Sequence, residues 1–491
     1  MAIRIDVKRT YFYSELSEKE RNEYFNLKRD KFLPCIDNIY YTVMLADDYN
    51  GNQKLKQFLI NLEMLKVSAI SNREPQAYGD YDLYIDTKSY DIYTYCLTKP
   101  DLYDIFISKY LPNESTPRIA VQIRAFGLWT RGEEELLAES YADVLSIFEL
   151  EHDVKILKCR ENRIDYCYHT NAIQSLSKIT TDAYLSKHMK TTMERMYEIS
   201  SLDTAKNGTI RNKEYISLGT LKSNNVTAKI YNKGKEVIDK GYKGFFFDIW
   251  YDNGLISYYD KFCFETAYSE KNRLVIHKAR LEFYLTHGTN ETIKTLFKET
   301  LNDVRSTYTD IKALADKYMP NTTTIVNIEF TTKRKFYYYS DNWIDDYLKT
   351  DTAARSSVPA PLERIYKIID NKSVFLKYLT STTLSFRKNG EEYLSWWDRL
   401  RNTKLKGLNL DLKLVREYAH ELDGQQSKKR LINALGIVAL YNDKVLTGFE
   451  EDASDVISII NDNDKHLVEG YIYKKLKKEE RIKNRKKRPL E

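Results

Sequence analysis

The chain has five cysteines, Cys35, Cys96, Cys159, Cys167 and Cys263, scattered along its length, odd in number and with no Cys-x-x-Cys pair. A disulfide framework and a structural zinc site are therefore not expected. No run approaches the about 18 apolar residues of a membrane span. The opening MAIRIDVKRTYFYSE carries charge where a secretory signal needs an apolar centre. The expected location is the cytoplasm, with no membrane partner. No Gly-x-x-x-x-Gly-Lys-Ser/Thr occurs, so nothing supports an ATP-driven helicase or switch. Gly-x-Ser-x-Gly, His-Glu-x-x-His and His-x-His are absent too.

What remains is a chain of 491 residues, 42% hydrophobic and 30% charged, long enough for two or three folded domains. Its 40 tyrosines, beside many Lys, Asn and Ile, fit the codon usage of an AT-rich genome. Some of them could instead stack on bases. The net charge of +6 is a property of one end. KKLKKEERIKNRKKR, residues 474–488, holds ten Lys or Arg against two Glu and is +8 by itself, which leaves −2 for the rest. Such a tail is either a solvated end or a phosphate contact that reads no sequence, with Lys474, Lys475, Lys486, Lys487 and Arg488 as candidates.

Residues 1–32 read as a polar N-terminal helical extension. From CIDNIYYTVML onward, β-branched and aromatic runs recur: YDIYTYCL, RIAVQIRAFGLW, NRIDYCYHT, TAKIYNK, GFFFDIWY and HKARLEFYL. Helical stretches such as EEELLAESYADVLSIFELEH lie between them. The pattern predicts an α+β domain over 33–345, with flanking helices on a largely antiparallel central sheet. KTDTAARSSVPAPLE, 349–363, reads as a linker region into an α-helical domain over 346–473, followed by the basic tail 474–491.

Side chains alternate across a strand, so each run can be split into faces. VTAKIYNK puts Val226, Ala228 and Ile230 on one face and Thr227, Lys229, Tyr231 and Lys233 on the other. NRIDYCYHT puts Arg163, Asp165, Cys167 and His169 together. HKARLEFYL, read as a strand, sets Lys278, Arg280, Glu282 and Tyr284 opposite an apolar row. The plain structural alternative is that each Arg-x-acid pair is an ion pair on a solvated sheet face. The functional reading brings Asp165 and Glu282 together on Mg²⁺ or Mn²⁺, whose preferred ligands are oxygens, while Arg163, Arg280 and Lys229 hold phosphate. Tyr231 would be the nucleophile, with Lys233 and a metal lowering its phenol pKa from about 10. The His-x-x-Arg of HKAR, 277–280, offers a weaker alternative, a tyrosine recombinase.

Arg-Ile-Asp-Tyr, then Tyr-Ile-Ser-Leu-Gly-Thr, then Lys-Ile-Tyr-Asn-Lys-Gly-Lys-Glu, then Arg-Leu-Glu occur in that order. The order resembles rolling-circle replication initiators, namely the plasmid initiator and relaxase family called Rep_trans and the related initiators of filamentous phages. The specific part of the resemblance spans 163–282. In YISLGT the family's Gly-Ser after the tyrosine is displaced. The resemblance implies nicking of one DNA strand at an origin, a 5′-phosphotyrosine intermediate and a free 3′-OH. It implies Asp165 and Glu282 as metal ligands, Arg163 and Arg280 as their supports, and Lys233 with Glu236 at the end of the signature strand. Tyr231 is the first choice of nucleophile and Tyr215 the alternative. The implied partners are origin DNA, single-stranded or as a hairpin, a host helicase and a DNA polymerase, with a homodimer as a further candidate. From a different class, a noncatalytic DNA-binding regulator on the same fold is the alternative.

Overall fold

The computed structural model describes residues 15–46, 52–79, 82–110, 117–173, 175–193, 215–219, 225–338 and 358–403. The chain divides into two compact units, residues 1–416 and 417–491. The second unit, the basic tail and the runs LDLKLVREYAHEL, SKKRLINALGIVALY and DASDVISIIND lie outside the described residues.

The fold is α+β, built on one large antiparallel sheet. In chain order the strands of that sheet are β1 (Phe32–Leu45), β2 (Gln76–Tyr78), β3 (Leu83–Ile85), β4 (Tyr95–Lys99), β5 (Tyr103–Ile107), β6 (Ile119–Ile123) and β7 (Ile156–Thr170). After the short β8 (Met189–Thr191), which lies in a second sheet, come β9 (Tyr215–Leu218), β10 (Val226–Asn232) and β11 (Val326–Lys333). Among the described residues the large sheet runs β2-β3-β4-β5-β6-β1-β7-β11-β10-β9. β2 to β6 form a meander that returns to one edge of β1, while β7 takes the other edge. The crossover that matters is β11. It comes after a helical insertion that follows β10, and it enters the sheet between β7 and β10.

The strand alternation expected in NRIDYCYHT and VTAKIYNK is present. Ile164, Tyr166 and Tyr168 of β7, Val226, Ala228 and Ile230 of β10, and Val326, Ile328 and Phe330 of β11 all enter one apolar cluster. Residues 358–403, within the stretch assigned above to the helical domain, contribute to that same cluster. Ile365, Ile368 and Ile369 come from the helix Glu363–Asp370, and Trp397 and Leu400 from the helix Ser395–Arg401. This segment also carries β12 (Leu384–Lys388) and β13 (Glu392–Tyr393); in the second sheet β12 pairs with β8 on one side and with β13 on the other.

Two runs read above as strands are helices. HKARLEFYL lies in the helix Val275–His287, and GFFFDIWY in the helix Phe246–Asp252. In the latter the buried residues are Phe246, Phe247 and Trp250, which is helical spacing. In the former Val275, Ala279, Arg280, Leu281, Phe283 and Tyr284 are all buried, because the helix packs on more than one side. A short window of such a helix contains Ala279, Leu281 and Phe283 at period two by coincidence, so periodicity cannot separate helix from strand there.

The segment 358–403 is tied to β7 by an ion pair. Arg364 forks onto Glu161, Nε to Oε2 and Nη2 to Oε1, both at 2.8 Å, and the Glu161 side chain is fully buried. Removing one partner of a buried pair leaves an uncompensated charge, at a cost of about 3–5 kcal/mol. Arg364→Ala is expected near the low end of that range, since Arg364 keeps 27% of its side chain exposed. Chemical denaturation monitored by tryptophan fluorescence checks it. The double variant Glu161→Met/Arg364→Met should lose markedly less.

Candidate active site

The second face of the sheet carries polar side chains that are nevertheless buried. Register sets them in rows. Asn38 of β1, Asp165 of β7 and Thr331 of β11 are neighbours, and Cys35, Cys167, Glu329 and Lys229 form the next row. His169, Asn327, Tyr231 and Tyr215 form the row after that. The register of β1 on β7 shifts between Ile36 and Asn38, which leaves Asp37 in a bulge. A bulge re-aims a side chain. Asp37 Oδ1 accepts a hydrogen bond from Trp129 Nε1 at 3.0 Å, and Lys243 Nζ stands 3.7 Å from Oδ2.

Tyr231 is the last but one residue of β10, and the last, Asn232, caps the next helix, Lys233–Lys240, accepting from Lys235 N at 3.0 Å through its side chain. The strand therefore passes into a helix without a loop. Lys233, expected at a strand end, heads that helix and is 1% exposed. Its Nζ donates to Tyr231 Oη at 3.3 Å and to Glu236 Oε2 at 2.8 Å. Asn327 Nδ2 also donates to Tyr231 Oη, at 2.9 Å. The phenol in turn donates to Glu329 Oε2 at 3.2 Å. Tyr231 is thus held by a buried cation from the helix that follows β10 and by an amide and a carboxylate from β11.

The charges explain each titration. Burial pushes the Tyr231 phenol well up, and Glu329, Glu236 and Asp37 add to this against the Asn327 hydrogen bond. The resting site therefore does not lower the tyrosine pKa, contrary to the sequence expectation. Burial disfavours the Lys233 ammonium, but Asp37, Glu236 and Glu329 outweigh it and raise its pKa, so it stays charged. Burial alone would raise Asp37 and Glu236. Lys233 with Lys243 brings Asp37 down to about 2, and Lys233 with Lys240 brings Glu236 down to about 2. Asp165 and Glu329 move the other way. Burial raises both; Asp37 adds to it at Asp165 against the Arg163 fork, and Asp165 adds to it at Glu329 against Lys229.

Arg163 forks onto Asp165, Nε to Oδ1 at 2.8 Å and Nη2 to Oδ2 at 2.6 Å, with its guanidinium 5.5 Å from the Tyr40 ring centre. Lys229 Nζ lies 3.8 Å from Glu329 Oε1. Tyr215 faces Tyr231 across the β9–β10 ladder, with ring centroids 6.1 Å apart. The structure thus gathers Tyr231, Tyr215, Lys233, Asp165, Arg163 and Lys229 on one face. It does not bring Arg280 and Glu282 to that sheet. Glu282 pairs with Lys278 one helical turn earlier. Arg280 staples two helices, bonding Asp316 Oδ1 at 2.8 Å and the carbonyls of Ala315 and Met319 at 2.9 Å. His277 Nδ1 is 2.9 Å from Arg280 Nη1, so both fixed residues of the His-x-x-Arg pattern are engaged within the helical layer.

The carboxylate missed in the sequence is Glu329. Its signal was legible, since VNIEFTTK alternates Val326, Ile328 and Phe330 with Asn327, Glu329 and Thr331. Asp37 and Asn327 were missed as well. No cluster of three or more His, Cys, Asp or Glu side chains is arranged for a metal among the described residues. The donors that do adjoin are oxygens: the Asp165 and Glu329 carboxylates, with the buried Oδ1 atoms of Asn38 and Asn327 lacking a protein hydrogen-bond partner. In kind, such a set fits Mg²⁺ or Mn²⁺ and not a soft metal.

An aromatic wall closes the His169 end of the site. Trp129 stacks on the His169 ring at 4.6 Å, Phe246 packs on it edge-on at 4.8 Å, and Trp250 Nε1 donates to its Nδ1 at 3.0 Å.

The chain is an α+β protein with a buried tyrosine–lysine–carboxylate centre on the polar face of its sheet. No family model matches the chain, and no curated protein matches it. Among solved structures, it is similar to the rolling circle replication initiator protein from Geobacillus stearothermophilus. The sequence identity is 10% and the TM-score 0.31, over 76% of this chain and 96% of that chain.

His169 gives the site a measurable pH signature. Burial, then the Lys233 charge, holds its pKa down at about 3. Because the folded value lies below the unfolded one, its contribution is complete above about pH 6.5 and is lost as pH falls toward 3. Stability should decline by up to roughly 1.4 kcal/mol per unit over this window. Urea denaturation between about pH 6.5 and 4.5 checks it. His169→Gln, which retains an acceptor for Trp250, should flatten that slope.

Proposed function

We propose that this chain cuts and rejoins one strand of DNA through Tyr231, forming a 5′-phosphotyrosine linkage and a free 3′-OH, as a rolling-circle replication initiator of a plasmid, phage or other mobile element. The observation that carries this reading is the convergence of Lys233 Nζ, Asn327 Nδ2 and Glu329 Oε2 on one tyrosine hydroxyl. The ordered resemblance of the sequence around Asp165, Tyr215, Tyr231 and Lys233 agrees with it.

In this mechanism Glu329 takes the phenol proton as Tyr231 oxygen attacks the scissile phosphorus. Its raised pKa suits a general base working near neutral pH. Lys233 and Asn327 stabilise the negative charge that the phenol oxygen acquires. The new bond joins phosphorus to the tyrosine oxygen, the bond to the 3′-oxygen breaks, and that oxygen takes up the proton released to Glu329. The linkage conserves the phosphodiester energy, so rejoining needs no ATP. Arg163 and Lys229, partly exposed beside the carboxylates, would hold phosphate oxygens. Mg²⁺ or Mn²⁺ would be held by Asp165 with the neutral amide oxygens beside it, leaving Glu329 as the base, and would supply Lewis-acid charge to the phosphate. The free 3′-OH is a polymerase primer, and strand separation would fall to a separate helicase.

A noncatalytic DNA-binding role is the second reading, favoured by the Arg163–Asp165 fork, in which each charge is already satisfied. The separating experiment uses labelled single-stranded DNA from the protein's own locus, with Mn²⁺ or EDTA, on a denaturing gel. Wild type and Tyr215→Phe should form a covalent adduct, and Tyr231→Phe should form none. Intact DNA binding with no adduct under any condition would leave the binding role standing. An adduct that survives EDTA would favour a recombinase.

Glu329→Gln should slow adduct formation by about 10²- to 10⁴-fold, the usual worth of a general base. In wild type the rate should climb with pH through the titration of Glu329. Because that pKa is raised, the climb should sit at higher pH than for an ordinary glutamate. Single-turnover rates across pH check the sign.

A further inference from the structure

Alternate residues at the end of β10 face different surroundings. Tyr231 and Lys233 belong to the site described above, whereas Asn232, Gly234 and Lys235 line a separate cavity of about 530 Å³. That volume lies in the usual range of small-ligand sites, about 300–1,000 Å³. The other walls come from the helix Val275–His287 with the residues just before it, from Tyr308, and from Thr322, Thr323 and Thr324 ahead of β11.

Its chemistry is two-sided. Lys235 and Arg273 supply positive charge, and no Asp or Glu is among the thirteen lining residues. Arg273 Nε lies 3.9 Å from Asp239, which is outside the lining. Thr322, Thr324 and Tyr308 add hydroxyls. His277 accepts at Nδ1 from Arg280 Nη1 at 2.9 Å, so its Nε2 is the nitrogen that carries hydrogen. The lining also includes the apolar side chains Ile238, Phe264, Leu274 and Ile276. Tyr308 and His277 meet there edge to face, with ring centroids 5.5 Å apart. Leu274 and Tyr308 are 44% and 41% exposed.

A lining that combines two cations and several hydroxyls with aromatic and aliphatic side chains matches a ligand that carries both a phosphate and a planar ring. We propose that this cavity is a binding site for a nucleoside 5′-phosphate, held by Lys235 and Arg273 at the phosphate and by Tyr308 and Leu274 at the base. The nucleotide is either free or one unstacked residue of a DNA strand, and the chemistry of recognition is the same. Base stacking on an aromatic side chain contributes about 1–3 kcal/mol, and a charge-assisted contact adds to it. The site does not depend on Tyr231 chemistry, and its test reads binding and not cleavage.

The test titrates the full-length protein with thymidine 5′-monophosphate, thymidine and inorganic phosphate by calorimetry, and with a short labelled single strand by fluorescence anisotropy. Lys235→Ala/Arg273→Ala and Tyr308→Ala are compared with wild type, after their melting curves are matched. The monophosphate should bind more tightly than thymidine or phosphate alone, and each variant should weaken it about tenfold or more. If the monophosphate does not bind but both variants weaken the strand to that extent, the nucleotide held is one within DNA, and the site stands. Equal affinity of wild type and both variants for all four probes would overturn the proposal. So would binding of phosphate as tight as that of the monophosphate and insensitive to Tyr308→Ala.

Discussion

The Lys233 ammonium is 1% exposed, and the centre of the molecule is arranged around keeping it charged. Burying such an ion costs several kcal/mol unless carboxylates and hydrogen bonds compensate. Compensation comes from segments far apart in the chain. The β1 bulge presents Asp37, the helix begun by Lys233 itself presents Glu236, and β11 returns across the sheet with Glu329. Around the site, Asp37, Asp165, Glu236 and Glu329 are matched by Lys243, Arg163, Lys233 and Lys229. Loss of any one would leave a partner charge buried, so the network specifies the register of β1, β7, β10 and β11 together.

The same network sets what the tyrosine does. A phenol buried beside three carboxylates is protonated at rest, and the Asn327 hydrogen bond opposes this without reversing it. In the proposed reaction, activation would come with the substrate step, through a base already hydrogen-bonded to the phenol. Glu329 would fill that role, and burial with Asp165 raises its pKa, which makes it the stronger base. The aromatic wall of Trp129, Phe246 and Trp250 around His169 shields one end of this charge cluster from water and strengthens every interaction within it.

Much of the site could be read from local patterns. The alternation in NRIDYCYHT and VTAKIYNK placed Arg163, Asp165, Lys229 and Tyr231 on polar strand faces, and they lie on one face of one sheet. The second carboxylate was assigned to Glu282 because a buried helix imitates a strand over nine residues. Arg280, read as a phosphate ligand, is the staple between two helices. The strand that does carry the second carboxylate has as clean an alternation as the others. Nothing in its local pattern says that it lies beside β7 and β10 after an intervening helical layer.

Sequence by itself determined the element types wherever a period was long and unambiguous, the polar row on each strand, and the absence of a P-loop and of paired cysteines. These are local properties, set by side-chain alternation and residue chemistry. Tertiary structure alone decided which carboxylate meets Tyr231, that Lys233 is buried, and which way each pKa moves. The order of strands in a sheet is fixed by long-range packing of their apolar faces, and electrostatic shifts follow from burial and from neighbours brought in by that order.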